Sequence, residues 1–389
     1  MLMAIPLSYN FRNLQVRKTT TLMTAVGIAL TVAVLLSVLG LVSGLKTAFV
    51  STGDPLHLLI MRKGGNAELT SLFTQQQFQT VKSFRGIATD VDGQPKASIE
   101  VVTILNMPSS AHPDGINITL RGISLRGIRM RKVKISSGRW FQPGLREIVV
   151  GKSLADRYPA AQIGKLLHFG KGSWTIVGVM DAGGSAVDSE IFGDEAQVAS
   201  DFNRGDTYSS ALLQATDEVA ADALKKSLES DRRLNVTVLG EKEYYEAQTV
   251  SAAPVRFLGY FICIIMAIGS SFAAMNTMYA AVARRAKEIG TLRILGFTRG
   301  SILLSFFLES IFLALLGGVI ACFLVMPLNN VTTGLGNFIT FSETNFNIRI
   351  GPDVIAVGLL FSLLLGVLGG LLPARQAAKK EILVALREV

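Results

Sequence analysis

FLGYFICIIMAIGSSFAAMNTMYAAVA at residues 257–283, followed at once by RRAKEIGTLRILGFTR at 284–299, decides how this chain is built. The first part is 27 residues without a formal charge. As a helix it reaches roughly 40 Å, against a hydrocarbon core of about 30 Å. The second part carries Arg284, Arg285, Lys287, Arg293 and Arg299 against one acid, Glu288. An apolar run closed by a basic cluster reads as a transmembrane helix whose basic end stays on the cytoplasmic side.

Working outward, three more such runs appear. Residues 19–45 are uncharged, 301–328 are broken only by Glu309, and 354–374 lie between Asp353 and Arg375. Arg12, Arg17 and Lys18 place the start of the first run inside. Alternation then puts 46–256 outside, 284–300 inside, the 329–353 loop outside and the tail 375–389 inside. The basic clusters that flank the apolar runs, at 12–18, 284–299 and 375–387, fall on one side. A cleaved signal peptide needs a shorter apolar core and an A-x-A-like exit, and neither is present. Ahead of the first run, Leu7, Phe11 and Leu14 in segment 1–18 have the spacing of an interfacial helix or of a frayed helix start. Glu309 is an expensive acid for a span, which calls for an interfacial position or a partner such as Arg293 or Arg299.

Composition agrees. Apolar residues make up 49% of the chain and charged ones 17%, and the net charge is +9. Between Lys46 and Arg256 there are 25 bases and 23 acids, so that segment is only +2. The remaining excess flanks the apolar runs, which is a topology signal and not a nucleic-acid footprint.

Segment 46–256 reads as a mixed α/β domain. Strand patterns occupy 56–62, 97–105, 116–123, 147–150, 174–180 and 209–215, and helical patterns 70–84 (with Thr70 as cap), 152–158 and 217–231. A last helical stretch from about Glu241 runs on past Pro254 into the second span. VVGKSLADRY at 149–158 holds Gly-Lys-Ser, but the P-loop glycine five positions before Gly151 is replaced by Arg146, so a phosphate loop is excluded. Residues 121–139 hold seven bases and no acid. They read as a solvated, charged edge strand, with an anion-binding face for lipid head groups, cell-wall polymer or a partner as the functional alternative. Cys263 and Cys322 lie in apolar runs, His57, His112 and His168 stand apart in sequence, and no metal or nucleophile pattern is assembled. The chain reads as non-catalytic, with no cofactor of its own. Gly40/Gly44 and Gly366/Gly370 have the spacing that permits close helix packing.

The basic loop carries more than topology. Arg284 and Glu288 are spaced i, i+4, and Ile289, Leu292 and Leu295 read as an apolar stripe. Gly296 follows as a helix stop, with Thr298 or Ser301 as the cap of the next helix. A short helix with an apolar stripe and flanking charges suits a groove on a soluble partner.

At this point the chain resembles the FtsX/MacB-type permease family of ABC transporters, a four-span, mechanotransmission type. The resemblance rests on NLQVRKTTTLMTAVGIAL at 13–30, SSGRWF and EIVVGKSLA within 136–155, RRAKEIGTLRILGFTRGSILLSFFLES at 284–310 and PARQAAKKEILVALREV at 373–389. It implies a coupling helix in which Glu288, Ile289, Gly290, Leu292, Arg293, Leu295 and Gly296, with Arg284 and Arg285 beside them, meet an ATPase. It also implies a tail motif at Pro373, Ala374, Ala377, Ala385, Leu386 and Arg387, with Ile382 where the family often has proline. The family further implies a homodimer or related heterodimer in the bacterial plasma (inner) membrane, with both termini cytoplasmic. Two ATP-binding subunits would carry the ATP and Mg. Because only a short segment precedes the first span, a separate ATPase is expected. A periplasmic adaptor and membrane lipids are further implied partners; nucleic acid is not. Family members drive efflux through tripartite pumps, extract lipoproteins, or control cell-wall hydrolases as transmembrane signal transducers.

Overall fold

The computed structural model describes residues 18–109 and 112–379. In chain order, α1 (Lys18–Val50) precedes β1 (His57–Arg62), the short β2 (Phe73–Thr74), α2 (Gln75–Lys82), β3 (Ala97–Ser109) and β4 (His112–Gly122). Next come α3 (Leu125–Met130), β5 (Lys134–Gly138), β6 (Glu147–Gly151), α4 (Lys152–Arg157), β7 (Leu166–Phe169) and β8 (Gly172–Asp181). They are followed by β9 (Glu190–Gly193), α5 (Glu195–Asp201), β10 (Thr207–Tyr208), β11 (Ser210–Gln214), α6 (Glu218–Ser230), β12 (Val236–Gly240) and α7 (Glu241–Gln248). The chain closes with α8 (Ala253–Arg284), α9 (Ala286–Ile294), α10 (Arg299–Val325), β13 (Thr332–Gly336), β14 (Glu343–Asn347) and α11 (Pro352–Lys379).

These elements form two compact units. One comprises residues 1–43, 254–331 and 348–389; the other comprises 44–253 and 332–347. The interfacial helix expected within 1–18 falls almost wholly outside the described residues.

In the helical unit, α1, α8, α10 and α11 are each long and apolar enough to cross a membrane. Small residues set their spacing. A Cβ at Gly366 would lie 2.6 Å from the Ala314 side chain, one at Gly369 2.8 Å from Ala274, and one at Gly317 2.8 Å from the Ala25 carbonyl. None of these positions has room for a larger residue, and the close approach maximises dispersion contacts where no hydrophobic drive operates between helices. Ile28, Val32 and Leu36 of α1 pack with Ala314 and Ala321 of α10 and Leu365 of α11. By contrast α8 leaves Phe257, Phe261, Ile264 and Phe272 exposed.

The other unit is built on a ten-stranded sheet of order β12-β1-β11-β3-β4-β9-β6-β8-β5, with β7 paired to β8. All neighbours are antiparallel except β4/β9 and β6/β8. Hydrophobic alternation makes two cores. At one end Leu58, Ile60, Leu213 and Val238 meet Val81 of α2 and Leu224 and Leu228 of α6. At the other, Ile148, Val150, Trp174 and Ile191 meet Leu154 of α4 and Val198 of α5. Val149 points the opposite way and joins Phe192, Met180 and Ile128, so β6 is buried on both faces and reads as an unbroken apolar run. Each such side chain contributes about 1.5–3 kcal/mol by leaving water.

Local chemistry sets the helix starts. Thr74 accepts from the Gln77 amide while the Gln77 side chain accepts from the Thr74 amide, so α2 begins at Gln75 and Thr70 is not its cap. Asp217 and Asp194 cap α6 and α5. In the former P-loop candidate, Gly151 sits against the Asp188 backbone carbonyl, where no side chain fits; the glycine there serves packing. Residues 332–347, expected as plain loop between the third and fourth spans, form a β13/β14 hairpin that belongs to the α/β unit.

Candidate functional site

The basic stretch 121–139 is neither one strand nor an open anionic-ligand face. Residues Leu125–Met130 are a helix, capped by Ser124. Six of the seven bases meet acids. Arg121 is 1% exposed and holds Glu190 at 2.7 Å, Glu100 at 2.6 Å and Glu68 at 2.9 Å. Arg131 pairs with Glu100 at 2.8 Å and with Glu241, and Glu241 also takes His57 Nδ1 at 2.7 Å. Arg126, Arg129, Lys132 and Arg139 pair with Asp92, Asp90, Asp54 and Glu147. Burial pushes the Glu68 carboxyl up, but the neighbouring Arg121 charge outweighs it and holds that group below the usual carboxylate range. The stretch is structural: it ties β3, β4 and β9 to α7 through buried charge.

The remaining candidate is the elbow between α8 and α10. The α8 helix ends at Arg284. Arg285 leaves helical geometry, with φ −103° and ψ 17°, and α9 starts at Ala286 without a side-chain cap. The end of α9 is tightly closed. Gly296 has φ +94°, its amide donates to the Arg293 carbonyl at 3.2 Å, and the Phe297 amide donates to the Leu292 carbonyl at 3.1 Å. That is the Schellman pattern, which a glycine in the left-handed region makes without strain. Thr298 then caps α10 by accepting from the Ser301 amide at 3.2 Å. Both the stop and the cap are where the sequence places them.

The faces of α9 differ from the expected stripe. Ile289 is 1% exposed and packs with Val282, Ile302, Phe306 and Ala377. Gly290 is buried and Leu292 half-buried, whereas Leu295 is 63% exposed. Ile289, Leu292 and Leu295 therefore do not form one surface. The outward face is Arg284, Lys287, Glu288, Thr291, Ile294 and Leu295, with Gly296 beyond it. Ile294, 61% exposed, is absent from the sequence-based set. Its spacing from Lys287 and Thr291, i+7 and i+3, is the signal that finds it.

Arg285 also differs from expectation. It points inward and holds Glu309 at 2.7 Å, with the two side chains 3% and 6% exposed. Its guanidinium lies 5.6 Å from the Phe306 ring centroid. Glu309 thus pairs with Arg285, where the sequence offers an interfacial position or a partner such as Arg293 or Arg299. Glu288 lies 3.9 Å from Arg285 as an i, i+3 pair, and the backbone break at Arg285 interrupts the register that an i, i+4 pair with Arg284 requires. Arg293 is half-buried and donates to the Phe297 carbonyl at 3.4 Å.

Of the tail motif, Pro373, Ala374 and Ala377 are buried on α11, which continues through the proline to Lys379. Ala374 and Ala377 pack in the same cluster as Ile289. Ala385, Leu386 and Arg387 lie outside the described residues.

This architecture matches known families across the chain. Residues 21–231 match the MacB-like periplasmic core domain and residues 260–382 match the FtsX-like permease C-terminal model. The chain belongs to the MacB/FtsX family of ABC transporter permeases. It is a multi-pass membrane protein by its helices and its family. The permease is 26% identical to the uncharacterized ABC transporter permease YknZ of Bacillus subtilis, over 95% of each chain. It is 24% identical to the uncharacterized permease MJ1507 of Methanocaldococcus jannaschii, over 98% of this chain and 97% of that one. A macrolide export ATP-binding/permease protein MacB from Hahella chejuensis is 23% identical over 90% of this permease, which spans 57% of that longer relative. The crystallised periplasmic region of MacB from Actinobacillus actinomycetemcomitans superposes with a TM-score of 0.37 at 14% identity, covering 49% of this chain and 91% of that one.

Proposed function

We propose that this permease passes the ATP-driven motion of a separate ATPase through the bacterial inner membrane to its α/β domain, and that the stroke powers export or extraction of an amphiphile, a lipid or a lipoprotein. The observation that carries the reading is the α9 helix. Its inner face is locked into the helical unit, while its outer face mixes two apolar side chains, Ile294 and Leu295, with Arg284, Lys287 and Glu288. Charged and apolar groups in such proximity suit a groove on a soluble nucleotide-binding subunit. The positive-inside distribution of charge supports a cytoplasmic α9, cytoplasmic chain ends and an external α/β domain. ATP and Mg belong to the partner; this chain is non-catalytic.

The membrane helices support a lever over a channel. A cleft among them, about 750 Å³, is lined by Leu35, Cys263, Ile264, Phe272, Phe361 and Leu368 and is almost wholly apolar, unlike the polar lining of an ion path. The exposed apolar face of α8 supports a second permease copy, as homodimer or related heterodimer. The names of the MacB relatives carry macrolide export, which fits an amphiphile as cargo and a periplasmic adaptor in a tripartite assembly. The test is co-purification with the cognate ATP-binding subunit from detergent. Glu288→Lys or Leu295→Asp loses that subunit while the permease yield stays unchanged; retention by both variants abandons the docking assignment. Pull-down on the outer domain separates export from signalling: an adaptor or lipoprotein supports export, whereas a cell-wall hydrolase supports the FtsX-like transducer.

A further inference from the structure

We propose that Arg285 and Glu309 are a positioning pair, a buried latch that holds the start of α9 against α10 and sets the angle at which the docking face is presented. The proposal rests on the coupling reading above and assigns to Arg285 a role other than contact with the ATPase.

The α8–α9 joint is one residue, Arg285, and its backbone is non-helical. The Arg285 side chain makes no cap hydrogen bond to the first turn of α9, so it does not fix the helix start in the usual local way. The Arg285 side chain runs inward instead, to a carboxylate ten residues into α10, about 15 Å along that helix. With side chains 3% and 6% exposed and 2.7 Å apart, the two charges are buried together and each stabilises the other in apolar surroundings. Phe306, on the same helix as Glu309, offers its ring to the guanidinium. At the other end the Gly296 stop and the Thr298 cap fold the chain directly into α10. The short α9 is therefore held to α10 at both ends, with Ile289 packed between. A push on the outer face of α9 is delivered to α10. The outward residues Arg284, Lys287, Thr291, Ile294 and Leu295 take no part in the Arg285–Glu309 contact, whereas Glu288, 3.9 Å from Arg285, adjoins it, so Leu295 is the residue that separates docking from positioning.

The test uses the full-length permease in lipid nanodiscs, with Cys263 and Cys322 replaced by serine and a nitroxide on the exposed Thr291→Cys. Glu309→Gln and Arg285→Gln are expected to lose the immobilised component of the label spectrum, and the swap Arg285→Glu with Glu309→Arg to restore it. Arg285→Lys keeps the charge but not the planar fork and gives an intermediate spectrum, which supplies a folded variant if the neutral ones misfold. With the ATP-binding subunit present, Glu309→Gln keeps the subunit bound but loses the spectral change that ATP and vanadate produce in the parent protein. An unchanged spectrum in both neutral variants overturns the latch. So does loss of subunit binding by Arg285→Gln that the swap fails to rescue, because Arg285 is then a docking contact. If the parent protein itself captures no ATP-binding subunit, the coupling reading fails, while the label on the permease alone still judges the latch.

Discussion

The Arg157 guanidinium at the end of α4 forms an ion pair with the Glu343 carboxylate at the start of β14, joining segments 186 residues apart. Tyr158 donates to the same carboxylate at 3.0 Å, and burial, with Glu343 beside it, pushes the Tyr158 phenol up to about 12. Further along the hairpin, Asn337 Oδ1 accepts from Ser251, its Nδ2 donates to Gln248, and Ser189 binds the Asn345 backbone. The segment between the third and fourth spans is thus part of the α/β domain, which receives the chain from all four spans.

The first prediction concerns this hairpin. Arg157→Ala and Glu343→Ala each lower the thermal midpoint of the α/β domain, and a double-mutant cycle returns a coupling of about 0.5–2 kcal/mol. Differential scanning fluorimetry of the full chain in detergent measures it; additive single effects would show that the pair contributes nothing.

A second prediction concerns Arg121. Arg121→Met leaves Glu68, Glu100 and Glu190 buried without their shared cation. Breaking a buried pair from one side costs about 3–5 kcal/mol, so the variant is expected to be cleaved rapidly by trypsin where the parent resists. Arg126→Met, on an exposed pair, leaves the digestion pattern unchanged.

The same network makes stability depend on pH. Glu68 has its carboxyl lowered from an ordinary value of 4.5. The sign follows from linkage: its contribution is fully present above that ordinary value and is lost as pH falls through the lowered one. Denaturation of the α/β domain is therefore expected to become easier below about pH 4.5, and Glu68→Gln is expected to reduce that slope. Urea midpoints taken as a function of pH decide it; an identical slope in the variant removes Glu68 from the cause.

Packing and docking at α9 separate by burial. Ile289→Ala is expected to cost about 2–5 kcal/mol, because it opens a cavity among Val282, Ile302 and Phe306. Leu295→Ala, at an exposed position, leaves stability within about 0.5 kcal/mol of the parent but weakens capture of the ATP-binding subunit. Thermal melts with parallel pull-downs read both, and equal destabilisation by the two changes would contradict the face assignment.

Close helix packing yields a fifth prediction. Gly366→Val brings a branched side chain against Ala314, and overpacking of this kind costs about 1–3 kcal/mol. At Gly269 an added Cβ would meet no atom within 4 Å, so alanine is tolerated there without loss of thermal stability. Melting of the two variants in detergent compares them directly.

Much of this permease is legible from local pattern alone. Uncharged runs long enough to cross a bilayer, basic clusters at alternate ends, and Gly296 followed by Thr298 are each decided within a few residues, because hydration of charge, helix length and left-handed backbone are local matters. Gly-Lys-Ser at 151–153 is likewise ruled out as a phosphate loop by one missing glycine. Only the tertiary structure decides which charges are paired. Arg121 and Arg131 look like surface bases until Glu68, Glu100, Glu190 and Glu241, scattered over more than 170 residues, are brought around them. The same holds at the motif between the second and third spans. Spacing names a helix with bases and an apolar stripe, but the single non-helical residue at 285 sets its rotation. That rotation turns Ile289 and Arg285 inward and leaves Ile294, Leu295 and Glu288 exposed. Periodicity gives the faces of a helix, whereas which face is buried depends on the residues that the fold packs against it.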